Sequence, residues 1–186
     1  MQLDAPPSTP LLVLGGAKSG KSVYAEQIVS MFPPPYCYIA TAKVLDQEMS
    51  DRVREHRKRR ASYWKTIESP LHLVEELRHL QGNGLPVLVD CITLWLSNLL
   101  LAESSDPEPA VDGLINFLGA ADYPLVIVSN EVGAGIVPEN NLARRFRDLA
   151  GRTNQRMAAI CRTVTLIVAG LPVRLKEESG SVNRAN

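Results

Sequence analysis

The chain has 186 residues with 20 Lys+Arg against 20 Asp+Glu, so its formal net charge is zero. Hydrophobic residues make up 45% and charged residues 22%, the balance of one ordinary globular domain. A zero balance speaks against a general nucleic-acid binder, which carries a basic excess, and no apolar stretch approaches the length of a membrane span.

Residues 1–10, MQLDAPPSTP, read as a disordered N-terminal extension. They hold an acid and prolines but no apolar core, which is not the pattern of a secretory signal. Leu11–Leu14 is a short apolar run that reads as a buried strand, and Val23–Val29 is helical in pattern. After the Pro33–Pro35 stop, Tyr36–Ala40 reads as a second strand. Gln47–Ser62 reads as a highly polar helix, and Trp64–Ile67 as a short extra strand. Ser69 followed by Pro70 reads as an N-cap and first helical position. The stripe Leu73, Val74, Leu77, Leu80 follows, ended by Gly82-Asn83-Gly84. Pro86–Asp90 is another strand.

Ile92–Ala102 is apolar nearly all round, so that helix is either deeply buried or covered by another subunit. Ser104–Pro109 reads as a loop, Leu125–Ser129 as a strand, Glu139–Cys161 as one long helix with Gly151 as a weak point, and Val164–Ala169 as the last strand. Residues 11–176 form the single domain and residues 177–186 a flexible tail. Continuous apolar strands alternating with helices argue for an α/β fold with a parallel sheet covered on both faces. Cys37, Cys91 and Cys161 lie in apolar settings without metal-ligand spacing and read as reduced core thiols.

Gly15, Gly16, Ala17, Lys18, Ser19, Gly20, Lys21 and Ser22 match the phosphate-loop template G-x-x-x-x-G-K-[ST] at every fixed position. The strand before and the helix after supply the context that the motif needs. The glycines let the backbone curl around an anion, and the loop N–H groups and helix N-terminus face phosphate oxygens. Lys21 then reaches the β/γ-phosphates and the Ser22 hydroxyl sits on Mg²⁺. Asp90 ends its strand where a carboxylate binds Mg²⁺ directly or through water, or else caps the next helix. Thr41 and Ala42, and Asn130 and Glu131, follow their strands at the carboxyl edge where ligands enter open α/β sheets. Gly133-Ala134-Gly135 is a mobile loop or an ordinary tight turn.

In the polar helix, Met49, Val53, His56 and Arg60 share one face on a 3.6-residue period. Docking of Met49 and Val53 turns His56 inward beside Arg57, Lys58, Arg59 and Arg60. The alternative is a solvated charged face with a surface histidine. Beside a bound triphosphate, a neutral imidazole is a competent nucleophile toward phosphorus, and adjacent arginines stabilise the charge developing there.

These motifs together resemble the bifunctional adenosylcobinamide kinase/adenosylcobinamide-phosphate guanylyltransferase family of cobalamin biosynthesis. The resemblance runs from about Leu11 to Lys176. It includes GGAKSGKS, YIATA at Tyr38–Ala42, DRVREHRKRRASYWKTIE at Asp51–Glu68, VDCITLWLSNLL at Val89–Leu100, the block from Ser129 to Ala158, and AGLPVRLK at Ala169–Lys176. It implies a P-loop NTPase-type three-layer sandwich, mostly parallel, with helices on both faces. It implies that His56 carries a covalent GMP. It places nucleotide contacts on Gly15–Ser22, Thr41, Ala42, Arg57, Lys58, Arg59, Arg60, Glu68 and Asp90. The implied activity phosphorylates adenosylcobinamide with ATP or GTP, then transfers GMP from GTP to give adenosylcobinamide-GDP and pyrophosphate. Mg²⁺ at Ser22 and Asp90, a corrinoid substrate, a homotrimer and a cytoplasmic location go with it. A plain P-loop small-molecule kinase without a covalent intermediate, and a nucleotide-switched binding module, are the alternatives.

Overall fold

Alternate side chains of β1 (Leu11–Gly15) feed opposite sides of the sheet. Leu12 and Leu14 enter one apolar cluster, and Leu11 and Val13 the other. A strand buried on both faces reads as a continuous apolar run, which is why the sequence shows it so plainly. The computed structural model describes residues 5–43, 63–102 and 106–178. Within them, β1 is followed by α1 (Lys21–Val29), β2 (Tyr36–Ala40), β3 (Trp64–Glu68), α2 (Leu73–His79), β4 (Val87–Asp90) and α3 (Ile92–Leu101). Then come α4 (Glu108–Leu118), β5 (Leu125–Asn130), α5 (Asn141–Ile160), β6 (Thr163–Val168) and β7 (Leu171–Glu177).

The strands form one sheet in the order β3-β2-β4-β5-β1-β6-β7. All pairs are parallel except β6 with β7. From β1 the chain crosses to β2 in one direction, and from β3 onward through β4, β5 and β6 it moves in the other. Right-handed crossovers then put the helices on opposite faces. The clusters agree: α1 packs on one side with Leu11, Val13, Leu88 and Val126. Helices α2 to α5 pack on the other, around Leu77, Trp95, Leu96, Leu114 and Met157. β1 and β5 are neighbours whose connections leave in opposite directions, so a crevice opens between their carboxyl ends. Among the described residues no helix is long and apolar enough to cross a membrane.

Four sequence expectations change. The helix expected from Ser69-Pro70 begins at Leu73, with His72 at its cap position. The Ser69 N–H extends the β-ladder by donating to the Ala40 carbonyl at 2.8 Å. The Leu71 carbonyl accepts from Trp95 Nε1 at 2.9 Å, which holds this stretch against α3. α4 was not expected. Its Val111, Leu114, Ile115 and Leu118 are buried at helical spacing, and Pro109 is tolerated in its first turn. β7 was not expected either. Its Leu171, Val173 and Leu175 alternate onto an exposed face. Finally, Ile92–Leu101 divides between the two readings offered. Ile92, Trp95 and Leu96 are fully buried, while Leu101 is 60% exposed. The expected helix at Gln47–Ser62 lies outside the described residues.

Candidate active site

The phosphate loop joins the interior strand β1 to α1, and its glycines are needed for two different reasons. A Cβ on Gly15 would stand 2.5 Å from Ser19 Oγ and 2.7 Å from the Ile167 carbonyl oxygen, a backbone atom of β6 that cannot yield. Gly20 has φ 97°, a left-handed conformation that carries the chain into the first turn of α1. The loop is tied to its surroundings by backbone bonds. The Ser19 N–H donates to the Gly16 carbonyl at 3.3 Å, and the Glu131 N–H, just beyond β5, donates to Gly15 at 2.9 Å. The tip of the β6–β7 hairpin closes the other side, where the Gly170 N–H donates to the Ser19 carbonyl at 2.9 Å.

Lys21 starts α1 and is only 8% exposed. Its Nζ donates to the Gly16 carbonyl at 2.8 Å, so the ammonium is folded over the loop. Burial pulls the lysine below its ordinary value of 10.5, opposed by the Cys91 and Asp90 groups. Asp90 is thus within electrostatic reach of Lys21, although β5 lies between β4 and the β1 strand that leads into the phosphate loop. Its Oδ2 accepts from the Tyr38 hydroxyl at 3.2 Å.

The sequence-expected residues gather on one edge. The sheet register places Gly15 beside Asn130, and Ala40 beside both Asp90 and Glu68. Gly15–Ser22, Thr41, Ala42, Glu68 and Asp90 therefore all lie at the carboxyl ends of neighbouring strands. Thr41 is fully buried, Ala42 half-buried and Glu68 exposed. His56, Arg57, Lys58, Arg59 and Arg60 lie outside the described residues. A polar network lies behind this edge, and of its members the sequence singled out Asn130 but not Thr93, Ser129 or Asn154. Asn130 Nδ2 donates to Thr93 Oγ1 at 2.7 Å. Ser129 Oγ donates to Asn154 Oδ1 at 2.7 Å, and Asn154 Nδ2 donates to the Asn130 carbonyl at 3.1 Å. The signal was available: Asn154 is a polar residue on the apolar stripe of its helix, buried to 5% exposure.

Among the described residues no three His, Cys, Asp or Glu side chains gather as a metal cage. Ser22 in the first turn of α1 and Asp90 at the end of β4 fit a different arrangement. Mg²⁺ at nucleotide sites takes one or two protein oxygens and completes its shell with phosphate oxygens and water.

The family model described as cobinamide kinase / cobinamide phosphate guanyltransferase matches residues 11–175. The chain belongs to this family. The bifunctional adenosylcobalamin biosynthesis protein CobP of Pseudomonas aeruginosa is 47% identical over 171 residues, covering 90% of this chain and 97% of that protein. The bifunctional adenosylcobalamin biosynthesis proteins CobU of Salmonella typhimurium and of Escherichia coli K12 are each 42% identical, covering 89% of this chain and 99% of their own. Solved structures share the fold at much lower identity. A protein of Pyrococcus horikoshii OT3 superposes with a TM-score of 0.53 at 10% identity, covering 92% of this chain and 88% of that one. An ATPase from the type III secretion system of pathogenic bacteria gives 0.50 at 13%, covering 88% and 56%. The cobinamide kinase / cobinamide phosphate guanyltransferase family thus accounts for the whole described sheet except its last residues.

Proposed function

We propose that this chain performs two transfers of cobalamin biosynthesis. In the first, the aminopropanol hydroxyl of adenosylcobinamide attacks the γ-phosphorus of ATP or GTP, and the nucleoside diphosphate leaves. In the second, a His56 ring nitrogen attacks the α-phosphorus of GTP, a phosphorus–nitrogen bond forms, and pyrophosphate leaves. The phosphate of adenosylcobinamide phosphate then attacks the same phosphorus, the phosphorus–nitrogen bond breaks, and adenosylcobinamide-GDP is released with His56 restored. Dividing one difficult transfer through a covalent intermediate is nucleophilic catalysis. The observation that carries the reading is the family match over residues 11–175, in a chain whose phosphate loop follows the interior strand β1.

The residues have separable tasks. The Gly16–Gly20 backbone cradles the phosphates at the start of α1. Lys21 sets a positive charge in a buried position, where it acts on developing phosphate charge more strongly than it would in water. Ser22 and Asp90 hold Mg²⁺, which, when bound, neutralises charge on the phosphate oxygens. Arg57–Arg60 steady the triphosphate, with Ala42 and Glu68 flanking the nucleotide. A homotrimer is part of the proposal. Its support is an exposed apolar groove of about 290 Å³ lined by Leu100, Leu101, Leu142 and Phe146. Three buried free thiols suit a reducing cytoplasm.

Incubation with α-labelled GTP and Mg²⁺ tests the covalent step. The protein should take up label that is acid-labile and alkali-stable, as a phosphoramidate is. His56→Ala should abolish label and guanylyl transfer while retaining much of the kinase reaction. His72→Ala and His79→Ala, exposed at the cap and at the last residue of α2, should label as the parent does. Full labelling of His56→Ala protein returns the chain to a plain kinase.

A further inference from the structure

The Thr41 hydroxyl is engaged twice by one residue. Oγ1 donates to the Cys91 carbonyl at 2.7 Å and accepts the Cys91 N–H at 2.8 Å. The Thr41 backbone is held as firmly. Its N–H donates to the Asp90 carbonyl at 3.3 Å, and its carbonyl accepts from Asn98 Nδ2 at 2.8 Å. The other proton of that amide goes to the Pro70 carbonyl at 3.0 Å. Thr41 is 0% exposed and Asn98 is 7% exposed.

A threonine hydroxyl has one proton. A phosphate oxygen is an acceptor and needs that proton, which Thr41 has already given to Cys91. A buried hydroxyl so occupied makes a poor nucleotide contact and a good brace. What it braces is the backbone of Cys91 on both sides of its Cα, the residue immediately after Asp90 and the cap position of α3. Asn98 fixes the brace in turn, which accounts for a buried amide in a largely apolar helix.

We propose that Thr41 is a positioning residue for Asp90, anchored by Asn98, and that it makes no contact of its own with the nucleotide. The inference rests on the assignment of Asp90 to the Mg²⁺ side of the site. Partners that orient a metal's ligands from behind alter metal affinity by about 10- to 100-fold when removed.

Equilibrium binding of a fluorescent GTP analogue to the full chain, in EDTA and in Mg²⁺, separates the possibilities. Circular dichroism checks that each variant is folded. Asp90→Asn should diminish the gain in affinity that Mg²⁺ confers. Thr41→Val should diminish the same gain by about tenfold and leave metal-free affinity within about twofold. Thr41→Ser, which keeps the hydroxyl, should restore the gain. Thr41→Val combined with Asp90→Asn should be no worse than Asp90→Asn alone, because a residue acting through Asp90 has nothing left to act on. Should Thr41→Val fail to fold, Thr41→Ala carries the same comparison. An equal loss of affinity with and without metal, or multiplying losses in the double variant, shows direct contact and overturns the proposal. A full effect of Asp90→Asn with none of Thr41→Val overturns the proposal alone. No effect of Asp90→Asn overturns the metal assignment and the proposal with it.

Discussion

The Gly170 N–H is bonded to the Ser19 carbonyl at 2.9 Å, which makes the β6–β7 hairpin tip a wall of the phosphate loop. The turn is tight. Ala169 has φ 51° and Gly170 φ 81°, the two positive values that a two-residue hairpin of this hand requires. A branched side chain at Gly170 strains that turn by about 1–2 kcal/mol. Gly170→Val should therefore lower both unfolding free energy and nucleotide affinity, whereas Gly170→Asn, which tolerates positive φ, should lie near the parent. Urea unfolding paired with nucleotide titration checks this. A fall in stability with unchanged affinity would separate the hairpin from the site.

Lys21→Ala removes the buried charge at the loop. Losing one such electrostatic contact to a reacting group typically costs about 10²–10³ in rate. Kinase turnover should fall by that factor with the fold intact. Turnover within a few-fold of the parent would dissociate Lys21 from phosphoryl transfer.

The three thiols give a signature in alkali. Burial pushes Cys37 and Cys91 up to about 11 and Cys161 up to about 12, from an ordinary 9.0. Below pH 9 both folded and unfolded chains keep these protons, and the full contribution to stability is present. As pH rises from about 9 toward 11 the unfolded chain releases protons that the folded chain keeps, so stability falls. The slope approaches about 1.4 kcal/mol per pH unit for each thiol. Cys161→Ala should make the decline shallower by one such increment. In the native state at pH 8 none of the three should react with a thiol reagent.

Two leucines of α3 should behave differently. Leu96 is 0% exposed and Leu101 is 60% exposed. Leu96→Ala should cost about 2–5 kcal/mol as a core cavity, and Leu101→Ala should change the stability of the single chain's own fold by no more than about 0.5 kcal/mol. Leu101→Glu should leave a folded chain of smaller sedimentation coefficient. An unchanged coefficient would take α3 out of any subunit contact.

The legible parts of this chain were those whose signal is local. β1, β4 and β5 are buried on both faces and appear as unbroken apolar runs, and the phosphate loop needs glycines at fixed spacing. α4 was hidden because its first turn contains Pro109, directly after a loop-like Ser104–Pro107 stretch. β7 was hidden because its Leu171, Val173 and Leu175 face outward, so its alternation marked no core. Ser69-Pro70 carried a true helix-start pattern, overridden by pairing with β2 and contact with α3. The bond between Thr41 and Cys91 spans fifty positions, and no periodicity reports such a contact.

Among the described strands β1 comes first in the chain, yet its two neighbours, β5 and β6, come fifth and sixth. Leu11 pairs with Val126 on one side and with Thr163 on the other. During translation the phosphate loop thus exists for most of the chain's synthesis beside a strand with no partner. Pairings between such remote segments are slow to form, and an unpaired apolar strand is exposed meanwhile. The edge that carries the phosphate loop is consequently completed only after β5 and β6 have been made, and a fragment that stops before β5 contains the motif without its flanking strands.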